Sequence, residues 1–209
     1  MHDYKYSDAV VLIVAKAPVA GQVNTRLIPD IGVEAATALQ AVLIQSRLKS
    51  LNEIKLCETQ LWCAPDVHHP FFKQCQSQYK VELYEQMGDD LGMRMSSAIE
   101  QSLKKFKLVV LVGTDAPSLS GEHIETAIEQ LENHDVVIGP AEDGGYVLIG
   151  MSKHRDAVFQ SVEWGTDQVL DETRLKIKEN ELSCFELEPC WDIDRVEDYL
   201  RYKNNVSLC

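Results

Sequence analysis

The sequence predicts an α/β protein, a three-layer, doubly wound, mostly parallel sheet. Two unbroken apolar runs, residues 9–15 (Ala-Val-Val-Leu-Ile-Val-Ala) and 108–112 (Leu-Val-Val-Leu-Val), have the length of strands buried on both faces. Stretches with apolar residues at helical spacing lie between the strand-like runs. Several runs end in segments holding Gly, Pro and Asp, as expected at the carboxyl edge of a parallel sheet, where ligands bind. At 209 residues a single domain, 1–209, is the simplest organisation.

Taken in order, residues 9–15 form the first strand and residues 16–27 a loop punctuated by Pro18 and Gly21. From residue 32 to 51, Ala35, Ala38, Leu39, Val42, Leu43 and Leu48 repeat with helical spacing. Residues 59–64 read as a strand stopped by Pro65, and residues 70–79 as a helix. His68 and His69 fall in the turn between them; adjacent histidines without further ligands seldom chelate one ion. A short strand at 81–84 and a helix ending near Phe106 follow, with Asp89 or Asp90 suited to cap that helix.

After the 108–112 strand, Gly113 and Pro117 prevent continuation, and Ser120 is placed to cap a helix to about Leu131. Residues 135–138 read as a strand, and Asp143-Gly144 as a hairpin turn into an antiparallel strand at 146–150. A helical pattern over 155–162 follows, then a longer helix to Glu179 capped around 164–166, and a strand at 182–187. Asp194 and Glu197 have the spacing of a capping box for a final helix.

Composition narrows the function. A net charge of −13 excludes a broad nucleic-acid-binding face, which needs a basic stripe. A nucleotide pocket remains compatible, because one arginine and a divalent cation can offset phosphate charge. No apolar run approaches the ~18 residues of a membrane span. Residues 1–8 lack the basic-then-apolar order of a signal peptide. The six cysteines (57, 63, 75, 184, 190 and 209) contain no Cys-x-x-Cys pair, so they read as reduced thiols of a cytoplasmic protein.

The chemistry-bearing residues gather at strand ends. Asp115 follows the 108–112 strand, where a rigid element delivers its carboxylate to the ligand edge; its alternative role is to turn the chain. The loop after the first strand offers backbone N–H groups for phosphates, and Arg26 a bidentate partner; the alternative is an ordinary surface loop. Gly88 and Gly92 suit close backbone approach to a ligand, and Arg94 lies in the helix that follows. Glu142, Asp143 and Tyr146 crowd Gly144 and Gly145. Asp115, Asp143, Asp192 and Asp194 supply oxygen ligands of the kind that Mg²⁺ or Mn²⁺ takes.

Five stretches together resemble the DUF2064 family: residues 15–27, 86–95, 112–119, 139–146, and 192–194 with Glu197-Asp198. Members are glycosyltransferase-A-like, some associated with arsenosugar biosynthesis or radical-SAM gene neighbourhoods. The sequence is more distantly similar to the molybdenum-cofactor and phospholactate nucleotidyltransferases. The resemblance implies a nucleotide-diphospho-sugar transferase fold with a divalent metal, Mg²⁺ or Mn²⁺. It assigns nucleotide or substrate binding to Ala15, Lys16, Pro18, Gly21, Thr25, Arg26, Gln86, Asp90, Gly92, Arg94, Thr114, Gly144, Gly145 and Tyr146. It places the metal on Asp115 with Asp192 and Asp194, and the acceptor or sugar beside the 143–146 turn. Asp143 or Glu142 would then orient or deprotonate an acceptor hydroxyl.

One departure stands out. The family loop reads Gly-Arg-Val-Lys-Thr-Arg, whereas here Gln22 and Asn24 occupy the two cationic positions. If Asn24 is a lost phosphate cation, Asn24→Lys restores attraction. The expected activity is transfer of a sugar from a nucleotide diphosphate sugar to a small acceptor. A nucleotidyltransferase and a non-catalytic nucleotide-sugar binding protein are the alternatives.

Overall fold

The computed structural model describes residues 4–206; Met1 to Asp3 of the polar leading segment, and Cys209, lie outside the described residues. The chain runs β1 (Ala9–Lys16), α1 (Ile28–Ile54), β2 (Glu58–Ala64), α2 (Pro70–Tyr79), β3 (Glu82–Glu85), α3 (Leu91–Leu103) and β4 (Leu108–Val112). It continues through α4 (Gly121–Gln130), β5 (Val136–Pro140), β6 (Tyr146–Met151), α5 (Val169–Glu179), β7 (Cys184–Glu186) and α6 (Val196–Val206).

Seven strands form one sheet in the order β3-β2-β1-β4-β6-β5-β7. Only β6 runs antiparallel, paired with β4 on one side and β5 on the other. The expected antiparallel hairpin strand is therefore an interior strand of the sheet. The apolar runs of β1 and β4 lack alternation because both faces are covered. Val11, Ile13, Val110 and Val112 pack beneath α1, α2 and α4. Val10, Leu12, Val109 and Leu111 pack against α3 and α5. A smaller cluster joins α1 to the approach to α6 through Leu27, Leu39, Leu43 and Ile193.

Some local expectations are corrected. The first helix begins at Ile28 and breaks at Gly32, whose φ of 81° is outside the helical region. Residues 155–162 form only a single 3₁₀ turn, Asp156–Val158. Arg155 is drawn to Asp135 (3.3 Å) and Asp156 accepts from Ser96 (2.7 Å), tethering this segment to the sheet and α3. Thr166 does not cap α5: its hydroxyl donates to the Glu163 carbonyl and the helix starts at Val169. Before α6, the Asp194 and Arg195 amides donate to Asp198 rather than completing a capping box with Glu197. Ser120 caps α4 as expected, with His123 completing the box. His69 caps α2 by accepting from the Phe71 amide.

The consequence for function is topological. Strand order reverses between β1 and β4, so the loops leaving their carboxyl ends diverge and open a crevice there. Because β6 is antiparallel, Tyr146 at its start lies at this same edge.

Candidate active site

Two recesses open along the crevice and share Asp115, Leu91, Met95, Tyr146 and Val147. The smaller, about 260 Å³, lies at the end of β1 and is lined by Val14, Lys16, Gln40 and Thr114. The larger, about 630 Å³, is lined by Arg26, Asp143, Gly145, Trp164, Asp167, Asp192, Asp194 and Arg195. Asp115 thus stands where the two recesses meet.

The first loop is shaped by its own contacts. Lys16 Nζ donates to the Gln22 carbonyl (2.8 Å), and Gln40 donates to the Lys16 carbonyl (3.0 Å). Asn24 sits at φ 47° and its amide donates to the Ala36 carbonyl (3.0 Å). An asparagine tolerates this left-handed backbone better than most residues, so Asn24 has a structural use that a lost phosphate cation would not explain. Pro18, Gly21 and Thr25 lie on the loop but line neither recess.

Several expected ligand contacts prove to brace the edge. Gln86 bridges β1 and β2 by donating to the Ala15 (3.1 Å) and Trp62 (2.8 Å) carbonyls. Asp90 caps α3 by accepting from the Met93 amide (2.7 Å). Arg94 Nε holds the Gly88 carbonyl (2.9 Å). A Cβ on Gly92 would stand 2.5 Å from the Trp164 ring, and one on Gly144 2.3 Å from the Asp167 carbonyl oxygen. Those two glycines are explained by packing against residues 164–167, without a ligand.

The carboxylates do come together. The Asp115 side chain is open to the cavity, yet the surrounding walls remove it from bulk water and push its carboxyl pKa up. Its backbone hydrogen bond and Arg47 oppose that shift, and Asp143 and Asp194 add to it. Asp192 is pushed up to about 7, first by burial and then by Asp143 and Asp115. Asp143 Oδ1 accepts from the Gly145 amide (2.9 Å). Asp194 is engaged by Arg26, whose Nη1 lies 2.8 Å from both carboxylate oxygens. Glu142 does not line the larger recess: it pairs with Arg201 (3.0 Å), whose guanidinium stacks 4.4 Å from the Trp191 ring centroid.

Arg47 escapes the sequence reading. It lies on the inward face of α1, 6% exposed, and donates to the carbonyls of Ala116 (2.6 Å) and Leu119 (2.5 Å) in the loop after Asp115. Burial pushes its pKa down to about 10. Its placement between Ile44 and Leu48 on the apolar stripe is the signal that marks it.

Among the described residues, no three His, Cys, Asp or Glu side chains are arranged to hold a cation. The donor chemistry fits a cation held by one or two carboxylates and completed by substrate phosphates, the usual habit of Mg²⁺. Asp115 and Asp192 fit this, each raised in pKa first by burial and then by neighbouring carboxylates, whose repulsion a divalent cation would offset. Asp194 would have to leave Arg26 to join them.

The profile of the family described as "uncharacterized protein conserved in bacteria (DUF2064)" matches residues 47–166, more than half of the chain. The chain belongs to the DUF2064 family. This DUF2064 protein is also similar to the crystal structure of a candidate nucleotide-diphospho-sugar transferase from Desulfovibrio desulfuricans G20. The two share 31% identity over 91% of this chain and 84% of the other, with a TM-score of 0.83. A cytidylyltransferase from Leptospira borgpetersenii serovar Hardjo-bovis is 12% identical over 98% of this chain and 88% of that one, with a TM-score of 0.63. Glucosyl-3-phosphoglycerate synthase from Mycobacterium tuberculosis, solved with Mn²⁺, UDP and glucosyl-3-phosphoglycerate, is 10% identical over 93% and 75% of the chains, with a TM-score of 0.55. These two share the fold. No curated protein matches. The DUF2064 chain therefore has the nucleotide-diphospho-sugar transferase fold, among neighbours that are glycosyl- and nucleotidyltransferases. No helix among the described residues is long and apolar enough to cross a membrane.

Proposed function

We propose that this protein transfers a sugar from a nucleotide diphosphate sugar to a hydroxyl of a small acceptor. The observation that carries the reading is the position of Asp115 between two joined recesses. The smaller, beside Lys16, accommodates the nucleotide; the larger accommodates sugar and acceptor. Asp115 and Asp192 would hold Mg²⁺ or Mn²⁺, which supplies charge stabilisation for the leaving diphosphate. The bound Mn²⁺ and UDP of the mycobacterial neighbour support that choice.

Asp143 takes the acceptor-side role. Its Oδ1 is fixed by the Gly145 amide, which leaves Oδ2 to accept the hydroxyl hydrogen. As the bond from the anomeric carbon to the diphosphate oxygen breaks, the acceptor oxygen bonds to that carbon and its proton passes to Asp143. Arg26, once released by Asp194, pairs with a phosphate oxygen.

Charge favours sugar transfer over nucleotidyl transfer to a phosphorylated acceptor. Five aspartates line the larger recess against Arg26 and Arg195, and Arg26 is already paired. A phosphate acceptor would meet like charge there, whereas a neutral hydroxyl would not. The test is a product analysis. Nucleotide diphosphate sugars are incubated with Mn²⁺ and hydroxyl-bearing acceptors, and nucleoside diphosphate and pyrophosphate are quantified. Acceptor-dependent nucleoside diphosphate is the expected product. Pyrophosphate released from a nucleoside triphosphate and a phosphosugar would overturn the reading in favour of the nucleotidyltransferase. Binding of nucleotide sugar without turnover would favour a binding protein.

A further inference from the structure

Trp164 reaches the larger recess from residues 163–168, a strap that belongs to no helix or strand. Its placement is built from several sides. The indole lies on Gly92 so closely that any side chain there would collide with the ring. The strap crosses Gly144 just as tightly, and the Leu170 amide donates to the Gly144 carbonyl (2.9 Å). Glu163 is tied to α5 through its amide and the Glu172 carboxylate (2.6 Å). Tyr146 meets the indole edge to face, with ring centroids 6.3 Å apart.

So firm a seat for a large ring inside an acidic cavity asks for a use. Tyr146 does not supply hydrogen bonding there, because its hydroxyl is buried beside Thr173. Among the described residues, nothing accepts from the indole N–H of Trp164. Leu91, 45% exposed, adds apolar surface to the same cavity. Aromatic faces bind molecules that are apolar on one side and wet on the other, and a pocket that sets apolar walls against a few polar groups fixes the orientation of such a ligand.

We propose that Trp164 is the specificity-determining platform for the acceptor, which is a hydroxyl-bearing ring such as a pyranoside. Its C–H face packs on the indole and a hydroxyl reaches Asp143. This deepens the transferase reading and rests on it, but it is tested without a donor.

The probes are phenyl β-D-glucopyranoside, methyl β-D-glucopyranoside and glycerol, titrated with the full chain by tryptophan fluorescence and calorimetry. Both glucosides should bind and glycerol should not. Trp164→Ala should weaken glucoside binding by about tenfold or more, while Trp164→Phe, which keeps a ring, stays within about threefold. Gly92→Ala, which displaces the indole, should mimic Trp164→Ala, and far-UV circular dichroism reports whether each variant folds. Equal glucoside affinity in wild type and Trp164→Ala, or equal binding of glycerol and glucoside, overturns the assignment. To separate donor sugar from acceptor, UDP and UDP-glucose are titrated with Mn²⁺. A Trp164→Ala loss confined to UDP-glucose moves the platform to the donor sugar and overturns the acceptor assignment. Glucoside binding that depends on Trp164 without any sugar transfer overturns the transferase reading and leaves the platform standing.

Discussion

Arg26 Nη1 stands 2.8 Å from each carboxylate oxygen of Asp194. The pair joins the loop after β1 to the approach to α6 across the mouth of the larger recess. Both partners are partly exposed, so the pair contributes only about 0–1 kcal/mol to stability. Its importance is that it occupies the loop's arginine. A phosphate must compete with Asp194 for that guanidinium.

Asp194→Asn should therefore tighten metal-free binding of a nucleoside diphosphate by about three- to tenfold at low salt, with the gain shrinking as salt rises. Cation-dependent affinity should stay within a few-fold, because Asp115 and Asp192 remain. Calorimetric titration of UDP with and without Mn²⁺ reads both. A large loss of Mn²⁺-dependent binding would make Asp194 a metal ligand first and a partner of Arg26 second.

Asp115→Asn should abolish cation-dependent nucleotide binding while the fold persists. The amide keeps the side chain's volume, and it removes a charge that the cavity walls and neighbouring aspartates disfavour. The unliganded Tm should therefore hold or rise near neutral pH and not fall. Unchanged Mn²⁺-dependent affinity in this variant would remove Asp115 from the metal site.

Asp192 gives the unliganded protein a pH dependence of definite sign. Its pKa is raised to about 7, so between the ordinary aspartate value and that value the folded state binds more protons than the unfolded one. Stability from this group is present at low pH and is lost as pH rises towards 7. Asp192→Asn should accordingly raise Tm relative to wild type by an amount that grows from about pH 4 to about pH 8. Thermal unfolding in EDTA across that range measures it. A gain that is flat with pH would mean that Asp192 ionises normally.

Much of this was legible in the sequence, and what was not has physical reasons. β1 and β4 announce themselves because burial on both faces demands apolar residues without alternation. Asp115 follows from them, being at the end of a strand. The order of the sheet, with β6 antiparallel between β4 and β5, is not encoded locally: a hairpin signal at Asp143-Gly144 fixes the turn, not which strand lies beyond it. Arg47 and Trp164 were invisible for a related reason. Their roles depend on the Ala116 and Leu119 carbonyls and on Gly92, partners about 70 residues away in sequence. Glu142 and Asp143, adjacent in sequence, part company because Arg201 of α6 claims one of them.

Arg47 supports the Asp115 loop from beneath, and its removal should be felt twice. Arg47→Met removes a buried cation, leaves the Leu119 carbonyl without its partner and leaves the Ala116 carbonyl only the Leu119 amide (3.2 Å), which should cost about 3 kcal/mol, or roughly 6–12 °C in Tm. It should also weaken Mn²⁺-dependent nucleotide binding measured well below the variant's Tm, because the loop carrying Asp115 loses its anchor. Arg47→Lys should restore little, since one ammonium cannot reproduce the fork that spans both carbonyls. A variant that loses stability yet binds nucleotide as wild type does would confine Arg47 to a structural role.

The loop after β1 separates its two uncharged positions. Asn24 adopts a left-handed backbone and bonds the Ala36 carbonyl, so a lysine there strains the turn and forfeits that bond. Gln22 is exposed, and its carbonyl already accepts from Lys16 while its side chain extends freely. A cation added at residue 22 keeps every contact the loop uses and places positive charge next to Lys16, which lines the smaller recess. Gln22→Arg should thus tighten nucleoside diphosphate binding by about three- to tenfold at low salt, with an unchanged Tm. Asn24→Lys should instead lower Tm by a few degrees and give no more than a small gain in affinity. Differential scanning fluorimetry and calorimetric titration of the two variants decide between electrostatics and loop shape. If Asn24→Lys proves the tighter binder and keeps its Tm, the Ala36 bond is dispensable, and the loss of a phosphate cation at residue 24 becomes the better account of this loop.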